Sequence, residues 1–169
     1  MSSDTVWQGK YLEVRKDGHW EYAARVGDIG AAVIVAVDAE DRVILVEQER
    51  RPIGRRCLEL PAGLVGDERA GETLEDAAAR ELEEETGYRA ARLERLGEFC
   101  SSPGMTSETF TLVRATGLTR TGEGGGDEGE DIVVLKVPIA DLPRVVAEKR
   151  LAGVGIDAKL LLLLGAGFI

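Results

Sequence analysis

Arg80, Glu81, Glu84 and Glu85 are the residues whose types and spacing point most directly to chemistry. On a helix of 3.6 residues per turn, 81 and 85 lie one turn apart and 84 lies three residues from 81. Three carboxylates then share one face, while Leu74, Ala78 and Leu82 turn toward a core. Like charges at this spacing cost a helix roughly 0.2–0.5 kcal/mol per pair. A hard divalent cation relieves that crowding, and Mg²⁺ takes one or two carboxylates together with phosphate oxygens. Arg80 can orient one of the carboxylates through a charge-assisted hydrogen bond. A surface helix rich in Glu and Ala has the same composition, so these four residues alone leave both readings open.

Charge distribution adds a second signal. Net charge is −10, which argues against general nucleic-acid binding because that needs a basic footprint. Four arginines and no acid lie between Arg50 and Arg56; nine acids and two bases lie between Asp67 and Glu85; five acids and no base lie between Glu123 and Asp131. An anionic substrate meets repulsion from such acidic runs unless metal ions invert the local field. Each run taken alone also reads as a solvated surface.

These residues need a scaffold. Val6 to Ala24 reads as an antiparallel hairpin, because two alternating segments flank Asp17-Gly18. Gly30 to Val37 is an apolar, β-branched run expected of a strand covered on both faces, and Val43 to Gln48 returns after a turn at 38–41. Gly63 to Gly71 reads as a loop, and Glu72 to Thr86 as one helix stopped by Gly87. Strands are expected near 90–99, 109–115 and 132–137, and two closing helices near 140–150 and 157–164. The segment from Thr116 to Glu130, with Gly124-Gly-Gly inside it, reads as a long functional or mobile loop. With 169 residues the prior is a single domain, an α/β sandwich with a mixed sheet.

Cys57 and Cys100 have no metal-ligand spacing and His19 is the only histidine, so a zinc site is not expected. Both cysteines read as small buried hydrophobes. No secretory signal is visible at the start, and the apolar tail 160–169 is far short of the ~20 residues that span a bilayer. The expectation is a cytoplasmic protein with no membrane partner.

The stretch containing Gly66, Glu72, Arg80, Glu81, Leu82, Glu84, Glu85, Gly87 and Tyr88 resembles the Nudix box, Gly-x5-Glu-x7-Arg-Glu-U-x-Glu-Glu-x-Gly-U, in register throughout. The resemblance extends outside the box. Gln48-Glu-Arg-Arg-Pro-Ile-Gly, Glu59-Leu-Pro-Ala-Gly63, Ser102-Pro103-Gly104 and Glu128-Gly-Glu130 are similar to segments of the ADP-ribose pyrophosphatase group. In that group the box glycine usually ends the Glu-Leu-Pro-Ala-Gly segment. Counted from Gly63, eight residues precede Glu72 instead of five, which reads as a three-residue insertion, with Gly66 matching by accident or by replacement.

The resemblance implies a Nudix α/β/α sandwich over 29–169, preceded by an N-terminal region 1–28 exchanged between the subunits of a homodimer. It implies hydrolysis of ADP-ribose or a related ADP-sugar by two or three Mg²⁺ or Mn²⁺ ions. Ala62 would offer a backbone carbonyl to metal, Glu81, Glu85 and Glu130 would be metal ligands, and Glu84 an orienting or additional ligand. Glu128 would be the general base. Arg50 and Arg51 would hold phosphates or the terminal ribose, since guanidinium groups match phosphate oxygens. Tyr11 and Trp20 would sandwich the adenine, and Glu59, Gly104, Met105 and Glu108 complete the implied substrate contacts. A GDP-sugar or oxidised nucleotide as substrate, and a Nudix fold that only binds nucleotide, remain open alternatives.

Overall fold

The computed structural model describes residues 3–66, 71–126 and 129–165. Strands β1 (Asp4–Gln8), β2 (Leu12–Asp17) and β3 (Trp20–Arg25) form an antiparallel N-terminal sheet. Next come β4 (Ala31–Ala36), β5 (Arg42–Arg50), β6 (Arg55–Glu59) and the short β7 (Ala62–Leu64). Helix α1 (Leu74–Thr86) is followed by β8 (Tyr88–Cys100), β9 (Thr109–Arg120) and β10 (Val133–Pro138). Helix α2 (Leu142–Leu151), β11 (Gly155–Ile156) and a 3₁₀ segment (Ala158–Leu164) complete the described chain.

Two four-stranded sheets, ordered β10-β5-β6-β11 and β7-β4-β9-β8, carry the body of the protein. Both are mixed: β4 runs parallel to β9 and β11 parallel to β6, while the other pairs are antiparallel. Alternation along β4 explains the layering. Val33 and Val35 join Leu45, Leu58, Leu112, Leu142 and Leu160 in one core, whereas Ala32, Ile34 and Ala36 pack with Ala78 and Leu82 of α1 in a second. The β4 run is thus buried on both faces, as its unbroken apolar sequence implies.

Several elements depart from the sequence reading. The N-terminal region is a three-stranded meander, because Asp4–Gln8 adds a strand on the outer edge of the expected hairpin. Helix α1 starts at Leu74, where Thr73 accepts a hydrogen bond from the Asp76 N–H at 3.2 Å. This N-cap leaves Glu72 before the helix. Strand β9 continues to Arg120 because β8 pairs with it along its whole length, shortening the expected loop. The segments at Arg55–Glu59 and Ala62–Leu64, unassigned or read as loop, are strands, recruited by pairing with β5 and β4. The last helix is 3₁₀ rather than α. Among the described residues no helix is long and apolar enough to cross a membrane.

The N-terminal sheet docks on the same chain. The Ala23 N–H donates to the Met105 carbonyl at 2.9 Å, and the Ser107 N–H donates to the Ala23 carbonyl at 3.0 Å.

Leu82 is fully buried and packs with Ala32, Ile34 and Ala36 of β4 in the core under α1. Leu82→Ala is expected to lower unfolding free energy by about 2–5 kcal/mol, read from denaturant titration. A loss below about 1 kcal/mol would show that α1 is not seated as described.

Candidate active site

The carboxylate face of α1 is organised by one guanidinium. Arg80, nearly buried, donates to Glu72 at 3.0 Å, to Glu81 at 2.8 Å and to Glu84 at 3.0 Å. Glu72 can reach Arg80 because it precedes the helix and folds back along it. Burying one cation among three carboxylates fixes their directions while leaving the cluster net negative.

The two candidate box glycines divide the work. A Cβ on Gly63 would meet the Glu81 carboxylate at 1.9 Å, so only glycine lets that side chain cross β7. Gly66 has φ of 84° and its N–H donates to Glu72 at 3.2 Å. Gly63 makes room for Glu81, and Gly66 turns the chain and holds Glu72 through its N–H.

Glu85 points from α1 into the protein and accepts the Ala62 N–H at 3.1 Å. Burial is the main cause that pushes its carboxyl from the ordinary 4.5 up to about 8. The Ala62 hydrogen bond and Arg50 oppose the rise, and the charges of Glu81 and Glu130 add to it. Glu81, Glu85 and Glu130 together line a cleft of about 370 Å³. Its further lining includes Arg50, Glu59, Arg25, Glu108, Phe110 and Lys159. Arg50 grips buried Glu59 with two hydrogen bonds, 2.7 and 2.8 Å, and Arg25 holds Glu108 at 2.6 Å.

The donor set along the acidic wall is all oxygen and suits a hard divalent cation rather than a soft one. Among the described residues no group of three or more such side chains stands close enough to hold an ion as they lie. Arg80 draws Glu81 aside and the Ala62 N–H takes one oxygen of Glu85. Crowded carboxylates stabilised by a guanidinium and one amide are the arrangement a divalent cation would compete for.

Glycines also tie the acidic loop to the helix. The N–H groups of Gly125 and Gly126 donate to the carbonyls of Glu85 and Glu84 at 2.9 and 3.0 Å, satisfying carbonyls that a helix end leaves orphaned. Gly124 has φ of 70°, and a Cβ there would meet backbone atoms of Glu85 and Thr86 at 2.4–2.7 Å. A segment expected to be a functional or mobile loop is thus pinned, up to Gly126, against the helix that carries the carboxylates.

Other expected contacts lie elsewhere. Trp20 and Gly104 line a second cleft of about 310 Å³ with Asp17, Tyr22 and Pro103. Tyr11 and Met105 stand exposed, and neither they nor Arg51 line the acidic cleft. Arg51 opens the short 3₁₀ turn Arg51–Ile53, which directs it outward. Glu84 and Arg80 act from beside the cleft, outside its lining. Glu128 lies outside the described residues. Cys57 is buried, its thiol pushed up to about 11 by burial and Glu59, whereas Cys100 is exposed because β8 turns it outward. Arg25 and Lys159 were not singled out from sequence; each sits far along the chain from any acid or glycine motif, and only folding brings it to the cleft.

Comparison with known proteins bears on this geometry. The NUDIX domain family model matches residues 28–160. The chain is 35% identical over 158 residues to the methanol dehydrogenase activator of Bacillus methanolicus, covering 89% of this chain and 84% of that protein. It is 35% identical over 153 residues to an ADP-ribose pyrophosphatase of Mycobacterium tuberculosis, covering 86% and 73%. A solved structure of an ADP compounds hydrolase superposes with a TM-score of 0.72 at 23% identity, covering 97% of this chain and 90% of the other. The last likeness establishes the fold.

The Glu85 carboxyl gives a signed pH effect. Between about 4.5 and about 8 the folded, metal-free protein holds a proton there that the unfolded chain has released. Its contribution to stability therefore falls as pH rises through that window. Glu85→Gln removes the titration while keeping an acceptor for Ala62. Thermal midpoints in chelator should show the variant gaining on wild type from pH 5 to pH 8. Parallel curves would contradict the burial-driven shift.

Proposed function

The chain belongs to the Nudix family, and from that premise we propose that it hydrolyses the diphosphate of ADP-ribose or a related ADP-sugar to AMP and a sugar phosphate. The observation that carries this reading is that Glu81, Glu85 and Glu130 line one cleft together with Arg50. Relatives named as ADP-ribose pyrophosphatases support the substrate class.

Glu81, Glu85, Glu130 and the Ala62 carbonyl would hold two or three divalent ions, Mg²⁺ or Mn²⁺. Such ions neutralise non-bridging phosphate oxygens and activate water. The chain's own groups do the rest. Arg80 sets the direction of Glu81 and Glu84. Arg50, prepositioned by Glu59, faces the cleft with guanidinium character suited to phosphate oxygens. Glu128, on the segment following the pinned glycines, takes the proton from the attacking water, and Glu130 serves as a ligand. Glu108, held by Arg25, and Gly104 border the substrate on the side of the N-terminal sheet. Trp20, with Tyr11 from a second copy, would stack the adenine. The homodimer belongs to the same reading, and the exposure of Val6, Trp7, Tyr11 and Trp20 supports a second copy packing there. Exchange of the N-terminal strands would require the bonds of Ala23 to Met105 and Ser107 to form between subunits.

Turnover of ADP-ribose, ADP-glucose, GDP-mannose and 8-oxo-dGTP, with Mg²⁺ and with chelator, tests the proposal. Chelator-sensitive release of AMP, fastest from ADP-ribose, is expected. Dominance of GDP-mannose or 8-oxo-dGTP would refute the ADP-sugar assignment, and no turnover of any compound would refute hydrolysis. Glu128→Gln should lower kcat by about 10²–10⁴-fold. A loss of that size in Glu130→Gln alone would exchange the two loop roles.

A further inference from the structure

We infer that Lys159 is a substrate-binding residue that reads the sugar hydroxyls in the part of the cleft lined by Phe110, across the sheet from Glu81 and Glu85. The inference rests on the nucleotide-sugar reading above and names the residue that would recognise the sugar.

Lys159 is the second residue of the 3₁₀ segment Ala158–Leu164, remote in sequence from every motif of the site. Parallel pairing of β11 with β6 carries it there: Ile156 sits opposite Leu58, and the Asp157 N–H donates to the Leu58 carbonyl at 3.0 Å. Glu59, the next residue of β6, is the partner of Arg50. The strand that holds Arg50 in place thus also seats Asp157 and Lys159.

Asp157 fixes Lys159 twice. One carboxylate oxygen accepts the Lys159 backbone N–H at 2.7 Å, and the other pairs with its ammonium. The ammonium lies 5.8 Å from the centroid of the Phe110 ring. An ammonium has three N–H donors, and this pair uses one. Its orientation is therefore set before any ligand arrives, which limits the ordering cost of binding.

The cleft has a polarity that matches a nucleotide sugar. Along β7-β4-β9 the lining changes from Ala62, Gly63 and Leu64 beside the acidic wall, to Ala31 and Val33, and then to Phe110 under Lys159. Neighbouring strands lie about 4.8 Å apart, so Phe110 sits roughly 10 Å across the sheet from β7. A diphosphate engaged at the acidic wall would extend its sugar over Ala31, Val33 and Phe110. Those apolar groups suit the carbon face of a pentose. Sugar hydroxyls both donate and accept, and the Lys159–Asp157 pair offers both kinds of group.

The test compares wild type with Lys159→Met, which keeps an unbranched apolar stem of similar length and the backbone N–H bonded to Asp157. KM for ADP-ribose should rise about 10-fold with kcat within about threefold, the pattern of a lost binding contact. Inhibition by ribose 5-phosphate should weaken by a similar factor, while inhibition by AMP and by inorganic phosphate stays as in wild type. Calorimetric titration of both proteins with ribose 5-phosphate gives the same comparison without turnover. An unchanged KM and unchanged ribose 5-phosphate binding would overturn the inference. So would a loss confined to AMP, which would place Lys159 at the nucleoside end, or an equal loss for inorganic phosphate, which would make it a phosphate site. Absence of all nucleotide-sugar turnover in wild type would refute the proposed function itself, independently of the titration.

Discussion

The constraint on which the rest of this structure depends is the crowding of carboxylates over the C-terminal half of α1. Glu81, Glu84 and Glu85 share little more than one helical turn, and Glu130 approaches from the acidic loop. Left to themselves such groups would destabilise the helix and resist burial. The fold answers with Arg80 at the centre of Glu72, Glu81 and Glu84, and with the Ala62 N–H against Glu85. Glu85 remains reluctant to ionise, its carboxyl held near 8 by burial and by its neighbours. A cation entering such a site would compete with Arg80 for Glu81 and with the Ala62 N–H for Glu85.

Backbone geometry matters as much as side chains. Gly63 lets Glu81 cross β7, and Gly124 lets the loop touch the last turn of α1. The N–H groups that follow occupy the helix-end carbonyls of Glu84 and Glu85. These contacts tie the loop, up to Gly126, to the helix bearing Glu81 and Glu85. Across the cleft every described cation is matched with a carboxylate: Arg50 with Glu59, Arg25 with Glu108, Lys159 with Asp157. Pairing of that kind holds long side chains in place and moderates the field that an anionic ligand meets.

Much of this was legible from residue order. The helix with its Gly87 stop, the doubly buried β4 and the shared face of Glu81 and Glu85 follow from local periodicity, which acts within a few residues. The Nudix assignment likewise rests on a contiguous pattern. Harder to read were the outer strand Asp4–Gln8, the strand Arg55–Glu59 and the extension of β9 to Arg120. Each is a strand because a partner pairs with it, and pairing is a property of distant residues rather than of local propensity.

The sequence by itself determined which carboxylates could act together, since a helix converts spacing into a common face without help from elsewhere. It also determined the acidic character of the site. Only the tertiary structure decided which glycine makes room for Glu81, that Arg50 is committed to Glu59, that Trp20 lines a separate cleft from Arg50, and that Arg25 and Lys159 reach the cleft at all. The physical reason is that these relations are set by sheet register and by close approach between segments up to a hundred residues apart, such as Lys159 beside the Glu59 strand. Those distances are produced by burial of the whole core and have no counterpart in the order of neighbouring residues.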